Sequence, residues 1–157
     1  MRAGRRWTIG RPAISWSGAQ VTLDYSAWLR PGETLEVAAD TFYGGAGINA
    51  GKGVECLQIV DTGTVGPGRY GSPAATPQLV EVLPGGTAYR VTFDAAPSGP
   101  LGYVLRYAFQ AQDMSTLDPL HYGHRGLLRT NWSAPSAILQ GETLRRWLPS
   151  WEVEVIV

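Results

Sequence analysis

At the C-terminal end the chain reads Trp151-Glu152-Val153-Glu154-Val155-Ile156-Val157, with Trp151, Val153, Val155 and Val157 alternating with two glutamates. Successive strand side chains point to opposite faces, so a period of two puts one face on a core and the other in water, whereas a helix scatters the same residues round its axis. The pattern recurs. Val21, Leu23 and Tyr25 alternate with Thr22 and Asp24, and Leu35, Val37 and Ala39 follow the turn Arg30-Pro31-Gly32-Glu33. Leu79 and Val82 precede a second turn, Pro84-Gly85-Gly86-Thr87, after which Tyr89, Val91 and Phe93 face one way and Arg90 and Thr92 the other. Proline fixes φ and glycine permits positive φ, so both turns have a mechanism. Tyr103, Leu105, Tyr107 and Phe109 resume the period after the loop Asp94 to Gly102, and 89–93 with 103–109 reads as one long two-strand unit.

Helical signals are poor. The best stretch, Ser136 to Leu148, is interrupted by Gly141, and Asp113 to Thr130 contains Pro119, Gly123 and Gly126. Short strands between Gly/Pro turns predict an all-β chain: a β-sandwich, jelly roll or related Greek-key fold. At 157 residues it fits one domain with a single core. Tyr43 to Gly53, Asp61 to Pro77 and Asp113 to Ser136 resist strand assignment and are expected to be long loops that form contact surfaces.

Charge divides the chain unevenly. Arg2, Arg5, Arg6 and Arg11 all precede the first acid, Asp24, so residues 1–11 read as a basic arm before a single domain spanning 12–157, in which nine basic residues meet thirteen acidic ones. Arg5-Arg6 invites comparison with a twin-arginine signal, but Gly10, Arg11, Pro12 and Gly18 interrupt the stretch that should be apolar, so no export signal is read. No run approaches the ~20 apolar residues of a transmembrane helix. Cys56 is the single cysteine, and within Val54 to Val60 it reads as a small buried thiol.

Each motif that could carry chemistry is incomplete. Gly47, Gly51 and Lys52 resemble a phosphate loop, but Ala46 and Gly53 stand where that motif needs Gly and Ser or Thr, and a strand pattern follows instead of a helix. His121 and His124, beside Asp113 and Asp118, lack the further His or Cys that would complete a usual zinc site. Glu152 and Glu154 share a strand face and read as a solvated face rather than a glycosidase pair. No Gly-x-Ser-x-Gly elbow occurs. The chain is therefore expected to be no enzyme, with no cofactor, metal or small-molecule substrate.

Six tryptophans remain, at 7, 16, 28, 132, 147 and 151. Trp28 and Trp151 are expected in the core. Trp7 and Trp16 lie in or beside the basic arm, and together with Arg2, Arg5, Arg6 and Arg11 they form the candidate interface, because Trp and Arg dominate energetic hot spots and arginine bonds carboxylates bidentately. Nucleic acid is the weaker partner for these arginines, since the body is acidic and carries no nucleic-acid-binding motif. Asn131-Trp132-Ser133 matches a glycosylation acceptor, read as accidental without a secretory signal.

In size and layout the whole chain resembles the auxiliary, or decoration, proteins that coat the capsids of tailed bacteriophages. The Arg-rich opening from Met1 to Arg11, the β-rich body and the long Gly/Pro loops carry the resemblance, and the bias to twelve arginines against the lone Lys52 suits a phage of a thermophile. The resemblance implies a homotrimer on the virion exterior, assembled in the host cytoplasm, that binds the major capsid protein and bridges neighbouring subunits. The competing expectation is a carbohydrate- or receptor-binding module of a tail fibre or secreted enzyme, working through exposed tryptophans.

Overall fold

In the computed structural model, residues 9–37, 57–61, 73–75, 77–97, 103–107, 128–149 and 151–155 are described. They contain eleven strands and no helix: β1 (Ala13–Ser17), β2 (Gln20–Asp24), β3 (Leu35–Val37), β4 (Leu57–Asp61), β5 (Pro73–Ala75), β6 (Pro77–Val82), β7 (Ala88–Phe93), β8 (Tyr103–Tyr107), β9 (Leu128–Pro135), β10 (Thr143–Trp147) and β11 (Trp151–Val155). All pairings are antiparallel, in three sheets ordered β1-β2-β7-β6, β10-β9-β3 and β11-β8-β4-β5. The all-β expectation holds for the described residues.

Local chemistry explains the turns. Gly18 has φ of 59° in the two-residue β1–β2 hairpin loop, a positive φ that matches the twist of the flanking strands and that glycine adopts without a Cβ clash. Pro31 and Gly32 occupy the centre of a turn closed by Glu33 N donating to Arg30 O at 2.9 Å; Gly32, with φ of 78°, holds the position that a type II turn reserves for glycine.

Residues 89–93 and 103–107 do not form the expected two-strand unit. β7 lies between β2 and β6, whereas β8 lies between β4 and β11 in another sheet. The intervening loop is long enough to change sheets, and alternation reports which face is buried without naming the partner strand. Two expected loops also contain strands: β5 lies within 61–77 and β9 within 113–136. The helix-like stretch 136–148 is instead a hairpin tip followed by β10.

Three tyrosines stitch the sheets together. The Tyr89 hydroxyl on β7 meets the backbone carbonyls of Glu36 in β3 and Arg129 in β9 at 2.8 and 3.0 Å, joining the first sheet to the second. The Tyr107 hydroxyl on β8 accepts from Leu128 N in β9 at 3.0 Å, joining the third to the second. Tyr25, just after β2, accepts at its hydroxyl from Trp151 Nε1 in β11 at 2.9 Å, joining the first to the third. All three tyrosines are fully buried, so each phenol contributes its ring to the core and satisfies its polar tip across a sheet boundary. Val21, Leu23, Leu35, Val91, Leu105 and Leu128 fill the space between them.

Candidate interaction surface

The β9–β10 hairpin changes character along its length. At its base Leu128 and Thr130 are fully buried and Arg146 nearly so; towards its tip Leu144 is 49%, Leu139 61% and Ile138 92% exposed. Leu144 faces Ala134 across the ladder, on the same side as Thr130, so the core-facing side of the hairpin continues past the body uncovered.

The tip is built rather than loose. Ser136 Oγ accepts from Leu139 N at 2.9 Å and Ile138 N at 3.3 Å, Glu142 N donates to Leu139 O at 3.1 Å, and Ser136 N donates to Glu142 O at 2.8 Å. Gly141 supplies a φ of 87° that closes the loop. These bonds hold two aliphatic side chains in water at a fixed position. Covering each on a partner would contribute roughly 1.5–3 kcal/mol.

The hairpin base is locked by a buried ionic knot. Glu33 accepts through Oε2 from Arg30 N at 2.9 Å and from Arg146 Nη1, and through Oε1 from Thr130 Oγ1 at 2.5 Å. Both side chains of the ion pair are nearly inaccessible, at 6% for Arg146 and 4% for Glu33. Arg146 Nη2 also donates to Trp28 O at 3.3 Å, while its buried Nε has no partner among the described residues. Beside the knot, Asn131 Oδ1 accepts from Thr34 N at 3.0 Å and Asn131 N donates to Thr34 O at 2.8 Å, so the side chain of the Asn-Trp-Ser match is committed to the backbone.

Trp28 carries this anchoring to the start of the chain. Its Nε1 donates to Arg11 O at 3.0 Å, its ring lies so close to Gly10 that any Cβ there would stand 2.2 Å from an indole carbon, and Ile9 is buried in the core. The stretch from Ile9 is thus fastened to the body, although the charge pattern extends the arm to Arg11. Arg11 itself is exposed. Trp16 is half-buried and stacks on Phe93 with ring centroids 6.2 Å apart. Arg2, Arg5, Arg6 and Trp7 lie outside the described residues, as do Gly47, Gly51, Lys52, Cys56, His121 and His124.

Of the other tryptophans, Trp151 is buried and Trp28 packs against the core. Trp147, at 45% exposure, has Arg129 over its ring at 5.2 Å, and Arg30 lies over Trp132 at 5.8 Å. Arg129 also pairs with Glu36, and Glu152 Oε2 accepts from Arg106 Nε at 2.5 Å. Glu152 is therefore part of an ion pair on β11, which the solvated-face reading did not include. Among the described residues no group of three or more His, Cys, Asp or Glu could hold a metal, and no helix is long and apolar enough to cross a membrane.

Sequence reasoning did not find the hairpin. Its signal was an aliphatic pair, Ile138-Leu139, bracketed by Ser136 and Gly141, both turn formers. Comparison with known protein families, curated proteins and solved structures finds no match.

Proposed function

We propose that the chain is a structural virion protein that binds the outside of a phage capsid, as a trimer, and reinforces contacts between major capsid subunits. The observation that carries the adhesive reading is the rigid hairpin whose tip exposes Ile138 and Leu139 while its base is tied through Arg146 to Glu33. Two aliphatic side chains held in water on a hydrogen-bonded turn would form the apolar centre of an interface once a partner covered them. The arginines at 2, 5 and 6 add an electrostatic tether to acidic capsid groups, and two weak attachments on one body bind far more tightly than either alone. The capsid as the setting rests on the resemblance in size and layout. The proposal takes the body as a β-sandwich of Greek-key type, supported by β2 lying beside β7 rather than β3.

The test is whether a major capsid protein gene lies beside the gene for this chain, and then co-sedimentation with shells assembled from its product. Replacing Arg2, Arg5 and Arg6 with serine should weaken binding, flatten its salt dependence and leave unfolding unchanged; equal binding would remove the arm from the account. Truncation should stop before Ile9, because that side chain belongs to the core.

The half-exposed Trp147 favours a second reading, a carbohydrate- or receptor-binding module. Arg129 already lies over that ring, which leaves less of it to stack on a sugar. Sugar-dependent quenching of tryptophan fluorescence in the isolated chain would select this reading over decoration.

A further inference from the structure

We propose that β10 of one copy adds, antiparallel, to β11 of a second copy, so that the chain assembles with itself through two open sheet edges. Among the described residues β10 and β11 each have a strand neighbour on one side only. An unpaired edge offers a row of backbone donors and acceptors, and monomeric proteins blunt such edges with charged side chains, proline or short length. β10 has five residues and no proline, exposes Leu144, and carries Arg145 as its one exposed charge.

Charge selects the partner edge. Arg145 is exposed and makes no ion pair or hydrogen bond among the described residues, and Glu142, exposed as well, begins the same edge. Two-fold pairing of β10 with another β10 centred on Arg145 or on Glu142 would set like charges face to face, which is destabilising. Of the remaining edges β11 alone carries two acids, although its Glu152, like Glu36 of β3, already pairs with an arginine of its own sheet. β1 and β5 carry no charge, Glu81 of β6 lies opposite Arg90 in its own sheet, and Glu36 of β3 is held by Arg129. β11 reads Trp-Glu-Val-Glu-Val, and Oε1 of its half-exposed Glu152 has no partner among the described residues.

One register satisfies both faces. Setting Arg145 opposite Glu152 of the second copy brings Leu144 opposite Val153 and Thr143 opposite Glu154. Leu144 lies on the core-facing side of its sheet, and Val153, opposite Leu105 in its own sheet, lies on the core-facing side of β11. The apolar pair thus continues two cores across the junction while the ion pair covers the outside. A contact between two different edges is head-to-tail, and head-to-tail contacts close into a ring when the rotation permits. The trimer of the proposed function is such a ring, but the edge contact itself needs no capsid.

The experiment uses the full chain with Cys56→Ala. Directly opposed residues of antiparallel strands have Cα atoms about 4.5–5.5 Å apart, within the range a disulfide spans. Leu144→Cys and Val153→Cys proteins, mixed under mild oxidation, should give a disulfide-linked dimer containing one of each, while either alone should not. Separately, Arg145→Glu should reduce the mass in native mass spectrometry from an oligomer to a monomer with an unchanged circular dichroism spectrum, since Arg145 makes no ion pair or hydrogen bond among the described residues. No cross-link in the mixture, a dimer formed by Leu144→Cys alone, or an Arg145→Glu mass equal to the parent overturns the proposal. Loss of capsid binding with the cross-link intact counts against the proposed function alone.

Discussion

Arg146 on β10 reaches the carboxylate of Glu33, in the turn before β3, and both side chains are buried. That one contact fixes the base of a hairpin whose far end stands in water. A buried ion pair rarely outperforms a well-packed apolar pair, because removing both charges from water consumes most of their attraction. Its geometry is what matters here. Glu33 also gathers Arg30 N and the Thr130 hydroxyl, so turn, β9 and β10 are held in one mutual position.

Breaking the pair from one side should therefore be severe. Arg146→Leu leaves the Glu33 carboxylate buried beside uncharged partners, and a loss of about 3–5 kcal/mol is expected in chemical denaturation. Combining it with Glu33→Leu should recover part of that loss. A single substitution costing under 1 kcal/mol would show that the pair is solvated and does not lock the hairpin.

Gly10→Ala tests the anchoring of the chain's start. The added methyl would meet the Trp28 indole at 2.2 Å, so residues 9–11 must shift or the ring must move, at about 1–3 kcal/mol. Gly141→Ala is the comparison: its Cβ meets nothing, and only the cost of φ at 87°, roughly 1–2 kcal/mol, remains. Trp28 fluorescence should respond to the first substitution and not to the second.

Tyr25 and Tyr89 give the fold an alkaline limit. Burial pushes both phenols well above their ordinary value, with the nearby Tyr25 and the Glu36 carboxylate adding to the effect on Tyr89, while the hydrogen bond that Trp151 donates opposes it at Tyr25. The unfolded chain ionises near pH 10 while the folded chain resists. Stability from these groups is thus fully present below about pH 10 and falls as pH rises above it. Phenolate absorbance should rise for exposed tyrosines first, then again together with loss of the circular dichroism signal. Simple titration of every tyrosine near pH 10 with the fold intact would contradict the three-tyrosine stitching.

Alternation made β2, β7, β8 and β11 legible because their inward residues are aliphatic or aromatic, whereas in β6 the residues read from the sequence, Leu79 and Val82, are exposed and Val80 is the buried one. β9 and β10 were hidden by the polar knot that anchors the site. The inward residues at the base of that hairpin are Thr130 and Arg146, so the period of two reads as polar, and only Glu33, about a hundred positions from both, makes those residues compatible with a core. β1 was hidden for another reason: Ala13, Ser15 and Ser17 are small and exposed, and its half-buried Ile14 and Trp16 drew attention as arm neighbours rather than as a strand face. Strand order was not legible at all, since a period identifies a face and not the neighbour across the ladder.

The central claim is that the hairpin tip is an adhesive surface. The most direct measurement is shell co-sedimentation by a chain carrying Ile138→Asp and Leu139→Asp, alongside its denaturation midpoint. Both side chains are exposed, so stability should change by no more than about 0.5 kcal/mol per site while binding falls at least tenfold. Binding equal to that of the unaltered chain, with the fold intact, would contradict the account.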